Sequence, residues 1–133
     1  MLLQKRSLDK YHCGGLWTNT VCSHPAPKES YEDAAARRLK EEFGFETELH
    51  KVFEFTYKAE FDNELAENEY DRTFVGRYDG ETKPDPNEIS GYKWISYTDL
   101  KKDLKNNPKK YTEWFKAILK RLDPKKVNSI LNI

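Results

Sequence analysis

The sequence lacks net charge, long apolar runs and an abundance of cysteine, and each absence excludes something. Its 23 lysines and arginines balance 23 aspartates and glutamates. With neither sign in excess, no long-range field draws the chain to nucleic acid or to an anionic lipid surface. No window approaches the roughly 18 consecutive apolar residues of a membrane-spanning helix. Met1-Leu2-Leu3 runs directly into Gln4-Lys5-Arg6, so these first residues have no apolar signal-peptide core. Two cysteines are too few for a disulfide scaffold. Cys13 and Cys22 are expected to be thiols in a reducing, cytoplasmic setting.

What is present is aromatic and charged. Hydrophobic residues make up 37% of the 133, charged residues 35% and aromatics 14%. An aromatic share of this size argues against disorder. The length suits one domain, residues 1–133, and is too short for two with sizeable cores.

Leu2 to Arg6 reads as a short strand, Asp9 to Gly15 as a turn, and Leu16 to Cys22 as a second strand. Ser30 followed by Asp33 has capping-box spacing, and Gly44 stands where a helix C-cap belongs. The thirteen residues between, YEDAAARRLKEEF, are predicted to be helical. Thr47 to Phe61 alternates as a strand, with Phe53, Phe55 and Tyr57 on one face. Asp62 to Glu67 is a turn, Asn68 to Tyr78 a strand, Pro84 to Glu88 a loop, and Ile89 to Tyr97 a further strand. From Thr98 the pattern is helical, with Trp114, Phe115, Ile118, Leu119 and Leu122 in one apolar stripe. The order predicts an α+β domain, a mixed sheet layered between helices.

Three features carry chemistry. On the first helix, Ala35, Leu39 and Phe43 define an apolar face, and Glu42 falls about 20° from Ala35. A carboxylate aimed inward must be paired or bind metal, and an ion pair with Arg38 at i,i+4 spacing is the plain alternative. Cys22 and His24 are two apart, hence on one side of an extended segment, although a buried, inert cysteine is the commoner case. Glu67 and Glu69 have the same spacing; two adjacent carboxylates raise a pKa or recruit a cation, unless they form a solvated acidic turn. One imidazole and two carboxylates suit a divalent ion.

The segment QKRSLDKYHCGGLWTNTVCSHPAPKESYEDAAARRLKEEFGF, with ENE at Glu67 to Glu69, GYKW at Gly91 to Trp94 and the Glu113-Trp114 pair, resembles the type 1 isopentenyl-diphosphate delta-isomerases of the Nudix superfamily. The likeness covers all but about the last dozen residues. The Nudix box, G-x5-E-x7-REUxEExGU, is present in altered form. Ser23 stands at its first Gly, Glu29 at its first Glu, and Arg37-Arg38-Leu39 at Arg-Glu-apolar, while Glu41, Glu42, Gly44 and Phe45 match. Arg38 replaces a glutamate that Nudix hydrolases generally use to hold metal, which speaks against hydrolysis.

The resemblance implies a role for each matching residue. Cys22 and Glu69 correspond to the acid–base pair on opposite faces of the isoprenoid, with Tyr57 assisting Glu69. His24, Glu67 and Glu69 correspond to ligands of a divalent metal (Mn2+, Mg2+ or Zn2+), and Glu42 to the holder of a Mg2+ that bridges to the diphosphate. Arg6, Lys10 and Arg38 correspond to cations that grip the diphosphate, and Trp114 to the aromatic whose face steadies a carbocation.

The implied reaction moves a proton. The terminal alkene carbon of isopentenyl diphosphate is protonated, a tertiary carbocation forms, and loss of a C2 proton leaves dimethylallyl diphosphate. Water must be kept from the cation. Family members carry a further N-terminal segment with a strand pair, a lysine and two histidines that complete the metal site. The chain begins inside the first matched strand, and neither His12 nor His50 stands at a matching position, so a weak three-ligand site is expected. A small isoprenoid diphosphate is the expected partner of a monomeric protein, with neither nucleic acid nor membrane. The alternatives are a Nudix hydrolase of a nucleoside diphosphate derivative and a non-catalytic diphosphate-binding remnant.

Overall fold

A computed structural model describes the chain except residues 9–13, 61–65 and 133; for residues 57–60 and 66–70 it describes the backbone alone. The predicted turn over Asp9 to Gly15 therefore lies mostly outside the described residues, as does most of Asp62 to Glu67. No described helix is long and apolar enough to cross a membrane. Contacts divide the chain into two units, Met1–Glu46 with Gly80–Thr112, and Thr47–Asp79 with Glu113–Ile133.

The first unit is built on three antiparallel strands in the order β2-β1-β5, where β1 is Leu2–Arg6, β2 Trp17–Thr18 and β5 Ile89–Trp94. In β1, Leu2, Leu3 and Gln4 are all buried. The predicted second strand is cut short where the Asn19 side chain competes for its backbone. Asn19 Nδ2 donates to the Val21 carbonyl at 2.7 Å, and Asn19 Oδ1 is held by the Thr18 hydroxyl at 2.8 Å. Such local bonds offer the chain an alternative to a ladder. The segment stays beside β1 through side chains instead: Thr20 Oγ1 donates to the Leu2 carbonyl at 2.6 Å.

Helix α1 spans Tyr31–Phe43, as its caps predict. Ser30 Oγ accepts from the Asp33 N–H at 3.0 Å, and Gly44 ends the helix at φ 73°, a left-handed conformation that glycine adopts without steric penalty. Leu39 and Phe43 are buried as expected; Ala34 is buried with them, while Ala35 is half-buried. Helix α2, Tyr97–Asn106, is capped in the same way, Ser96 Oγ accepting from Asp99 N–H at 3.1 Å. Pro108 follows its end and opens a short 3-10 turn, Pro108–Lys110. Beyond it, Thr18 and Thr112, both fully buried, share a hydroxyl–hydroxyl bond of 2.9 Å, and Trp17 accepts from the Thr112 N–H at 3.0 Å. Leu3, Phe43, Leu100 and Tyr111 are almost wholly buried. Each contributes roughly 1.5–3 kcal/mol through apolar area removed from water.

The second unit pairs β3, His50–Glu60, with β4, Ala66–Val75, antiparallel. The expected helical tail divides into α3, Glu113–Arg121, and α4, Pro124–Leu131. Pro124 opens α4, with Asp123 accepting from the Lys125 N–H at 3.0 Å. Of the predicted stripe, Trp114, Phe115 and Leu119 are buried, while Ile118 and Leu122 are half-buried. The Phe53 and Phe55 rings stand 5.8 Å apart, and the Arg121 guanidinium lies 4.2 Å from the Phe55 ring centre. The observed class is α+β.

Candidate functional site

The chemistry of the first unit centres on the last turns of α1. Glu42 is 4% exposed, so its carboxylate needs partners. Gln4 Nε2, from the buried face of β1, donates to Glu42 Oε1 at 3.1 Å and to the Thr20 carbonyl at 2.5 Å. Arg38 Nη2 lies 3.2 Å from Glu42 Oε2, which is the expected i,i+4 pair. Arg38 Nη1 also donates to Glu41 at 2.6 Å, and Nη2 stands 3.6 Å from Glu88 at the entry to β5. Three carboxylates thus surround one guanidinium. Its Nε is buried and has no hydrogen-bond acceptor among the described residues.

The other half of the altered box has a structural role. Arg37 grips Glu29 through two bonds, Nε to Oε2 at 2.8 Å and Nη2 to Oε1 at 2.9 Å. The Ala26 N–H adds a third bond at 2.9 Å. The Arg37 bonds chiefly, then the Ala26 bond, hold the Glu29 carboxyl at about 2. Glu41 is lowered as well, first by its bond from Arg38 and then by Arg37.

Cys22 and His24 follow β2 in irregular chain, both exposed. Cys22 is a thiol and not half of a disulfide. The water-excluded setting expected for it is not what surrounds it: the shortened β2 leaves it beyond the sheet. Arg6 ends β1, where its N–H donates to the Leu16 carbonyl and its carbonyl accepts from Gly15, each at 2.9 Å. Lys10 and Cys13 lie outside the described residues. In the second unit, β3 and β4 pair Tyr57 directly with Glu69, and Ala59 with Glu67. Trp114 is buried in the first turns of α3. Among the described residues no three His, Cys, Asp or Glu side chains form a metal-holding group.

Gln4 and Glu88 are the site residues that sequence reasoning missed. A glutamine within an apolar strand start is a usable signal, since a buried amide must find partners. Glu88 gives none, because its partner is fixed by the fold.

The NUDIX domain family matches residues 1–115. Isopentenyl-diphosphate Delta-isomerase 2 of Aromatoleum aromaticum is 45% identical over 92% of this chain and 65% of its own length. Isopentenyl-diphosphate Delta-isomerase 1 of the same organism is 47% identical over 92% of this chain and 69% of its own. Isopentenyl-diphosphate Delta-isomerase 2 of Photorhabdus laumondii is 48% identical, again over 92% and 69%. The chain thus spans 65% to 69% of the length of these curated relatives. The domain match and these identities agree: the chain belongs to the NUDIX domain family and, within it, to the isopentenyl-diphosphate Delta-isomerase family.

Proposed function

We propose that the protein converts isopentenyl diphosphate to dimethylallyl diphosphate. The observation that carries this reading is Arg38. It sits where a hydrolase of this superfamily holds a metal-binding glutamate, and its guanidinium is 22% exposed. A cation that a ligand can reach suits an anion that must be gripped and left intact. Arg6, at the end of β1, and Lys10 are the further cations of this reading.

Cys22 and Glu69 divide the proton work. One adds a proton to the terminal C4, and the other removes a proton from C2. The double bond passes from C3–C4 to C2–C3, and the proton count is unchanged. The cross-strand register of Tyr57 with Glu69 supports Tyr57 as the group that orients Glu69. Trp114 offers a π face to the tertiary cation.

Divalent metal fits the donor chemistry. Glu42 supplies the hard oxygen that Mg2+ prefers, and the metal, when bound, neutralises diphosphate charge. His24, Glu67 and Glu69 offer one imidazole and two carboxylates, a set open to Mn2+, Mg2+ or Zn2+. Residues 1–133 are taken as one Nudix-like isomerase domain, monomeric and cytoplasmic; the NUDIX match over residues 1–115 runs through both units.

The test incubates the protein and Mg2+ with isopentenyl diphosphate, and separately with nucleoside diphosphate sugars and dinucleotides. Dimethylallyl diphosphate as product supports the reading. Nucleotide or phosphate release without it identifies a hydrolase, and diphosphate binding without turnover identifies a non-catalytic remnant.

A further inference from the structure

A neutral chain need not be evenly charged. From Lys93 to Lys110 the sequence holds six lysines and two aspartates, and no arginine or glutamate. The fold gathers part of this excess around a groove of about 620 Å3 in the first unit, where β1 and β2 meet the turn after α2. Lys5, Trp17, Asn107, Pro108, Lys109 and Lys110 line it.

The groove is on the other side of the sheet from Arg38 and Glu42. Gln4 reaches Glu42, and Lys5, its neighbour in regular β1 pairing, projects to the opposite face. Trp17 is the cross-strand partner of Lys5, and Lys93 Nζ stands 4.4 Å from the Trp17 ring centre. Gly91 also pairs with Lys5, and a Cβ there would lie only 3.8 Å from the tip of the indole. The indole therefore spreads across the strands as one wall of the groove.

The positive charge is only partly answered. Asp103 lies 3.9 Å from Lys110 Nζ, but it also accepts from the Tyr111 hydroxyl and from Asn107 Nδ2. Among the described residues, neither Lys5 nor Lys109 has a carboxylate within ion-pair distance. The groove is open to solvent, so a ligand lying in it keeps one side in water.

We infer that this groove binds a phosphorylated small molecule, its phosphates held by Lys5, Lys109 and Lys110 and its organic body laid against Trp17 and Pro108. The site is separate from the one proposed for isomerisation and does not depend on that reading.

Calorimetric titrations at low salt with adenosine triphosphate, geranyl diphosphate and inorganic diphosphate test it, on wild type, on Arg38→Ala and on a Lys109→Ser, Lys110→Ser double variant. The lysines are exposed, so the double variant is expected to fold, as its circular dichroism and thermal midpoint will check. Saturable binding of an organic phosphate should survive Arg38→Ala, fall at least tenfold in the lysine variant and weaken with added salt. Preference for the adenine nucleotide would identify a flat ring on Trp17, and preference for the geranyl compound an apolar tail. No saturable binding, binding indifferent to the two lysines, or, in Arg38→Ala, equal affinity for inorganic diphosphate would overturn the inference.

Discussion

Arg38 Nη2 lies 3.2 Å from Glu42 Oε2, one turn apart on α1, and the carboxylate it meets is almost wholly buried. A carboxylate in that position is tolerable only while its charge is answered. Gln4 answers one oxygen from the sheet and Arg38 the other from the helix, so the altered box is tied to both elements. Arg38, which stands where the Nudix pattern has a glutamate, thus supplies the counter-charge for its neighbour.

Arg38→Met should destabilise the protein by about 2 kcal/mol, less than a fully buried pair loses because the guanidinium is 22% exposed. Glu42→Gln should cost less, since a neutral amide can still accept from Gln4 and leaves no buried charge. Urea unfolding measures both. A larger loss for Glu42→Gln would mean that the pair is not what holds the carboxylate.

The Thr18–Thr112 bond gives a second energetic test. Thr18→Val or Thr112→Val removes one hydroxyl and leaves the other without this bond in a fully buried place, at roughly 1–3 kcal/mol. The double variant should cost less than the sum of the two, because both hydroxyls are gone. Additive losses in a double-mutant cycle would deny the coupling.

Much of the first unit was legible because local chemistry sets it. Ser30 and Gly44 mark the ends of α1 by their own hydrogen-bonding and backbone preferences, and β1 follows from its apolar start. The second strand is shorter than its β-branched residues predict, because Asn19 interrupts the ladder with a side-chain bond to the Val21 carbonyl. Glu42 could be read as inward from helical angle alone. Gln4 and Glu88 could not be placed, because their partners are distant in sequence and chosen by tertiary pairing.

Acid should weaken the box through Glu29. Its native pKa of about 2 lies below its ordinary value of 4.5, so the stability it contributes is fully present above pH 4.5. That contribution falls as pH drops from about 4.5 towards 2. Glu29→Gln should flatten this part of the curve of thermal midpoint against pH, with little change in slope above pH 6. An unchanged acid slope would show that the Arg37 clamp does not carry it.

The two cysteines should differ in function. Under the proposed mechanism, Cys22→Ala abolishes formation of dimethylallyl diphosphate, whereas Cys13→Ser retains most of it. Rate measurements with matched circular dichroism spectra decide between them. Equal losses from both changes would remove Cys22 from the acid–base pair.

Reversing the charge of Arg38 tests the reaction class itself. Glu41, Glu42 and Glu88 approach this guanidinium at 2.6, 3.2 and 3.6 Å. Arg38→Glu withdraws the cation and adds a carboxylate to the same few ångströms. Like charges so close either take up protons or recruit a divalent ion. The variant should therefore lose thermal stability in chelator and regain part of it with millimolar Mg2+ or Mn2+, more than wild type does. Under the proposed function, its affinity for inorganic diphosphate without metal should fall, since the cation assigned to grip it is gone. Isomerisation should not improve, and slight hydrolysis of nucleoside diphosphate sugars is expected, because residues 38, 41 and 42 would then all be carboxylates able to hold a divalent ion, which would supply activation of water. Melting curves with and without metal, diphosphate titration and product analysis check these in turn. A variant that ignores Mg2+ and binds diphosphate as wild type does would show that Arg38 neither balances these carboxylates nor holds the substrate.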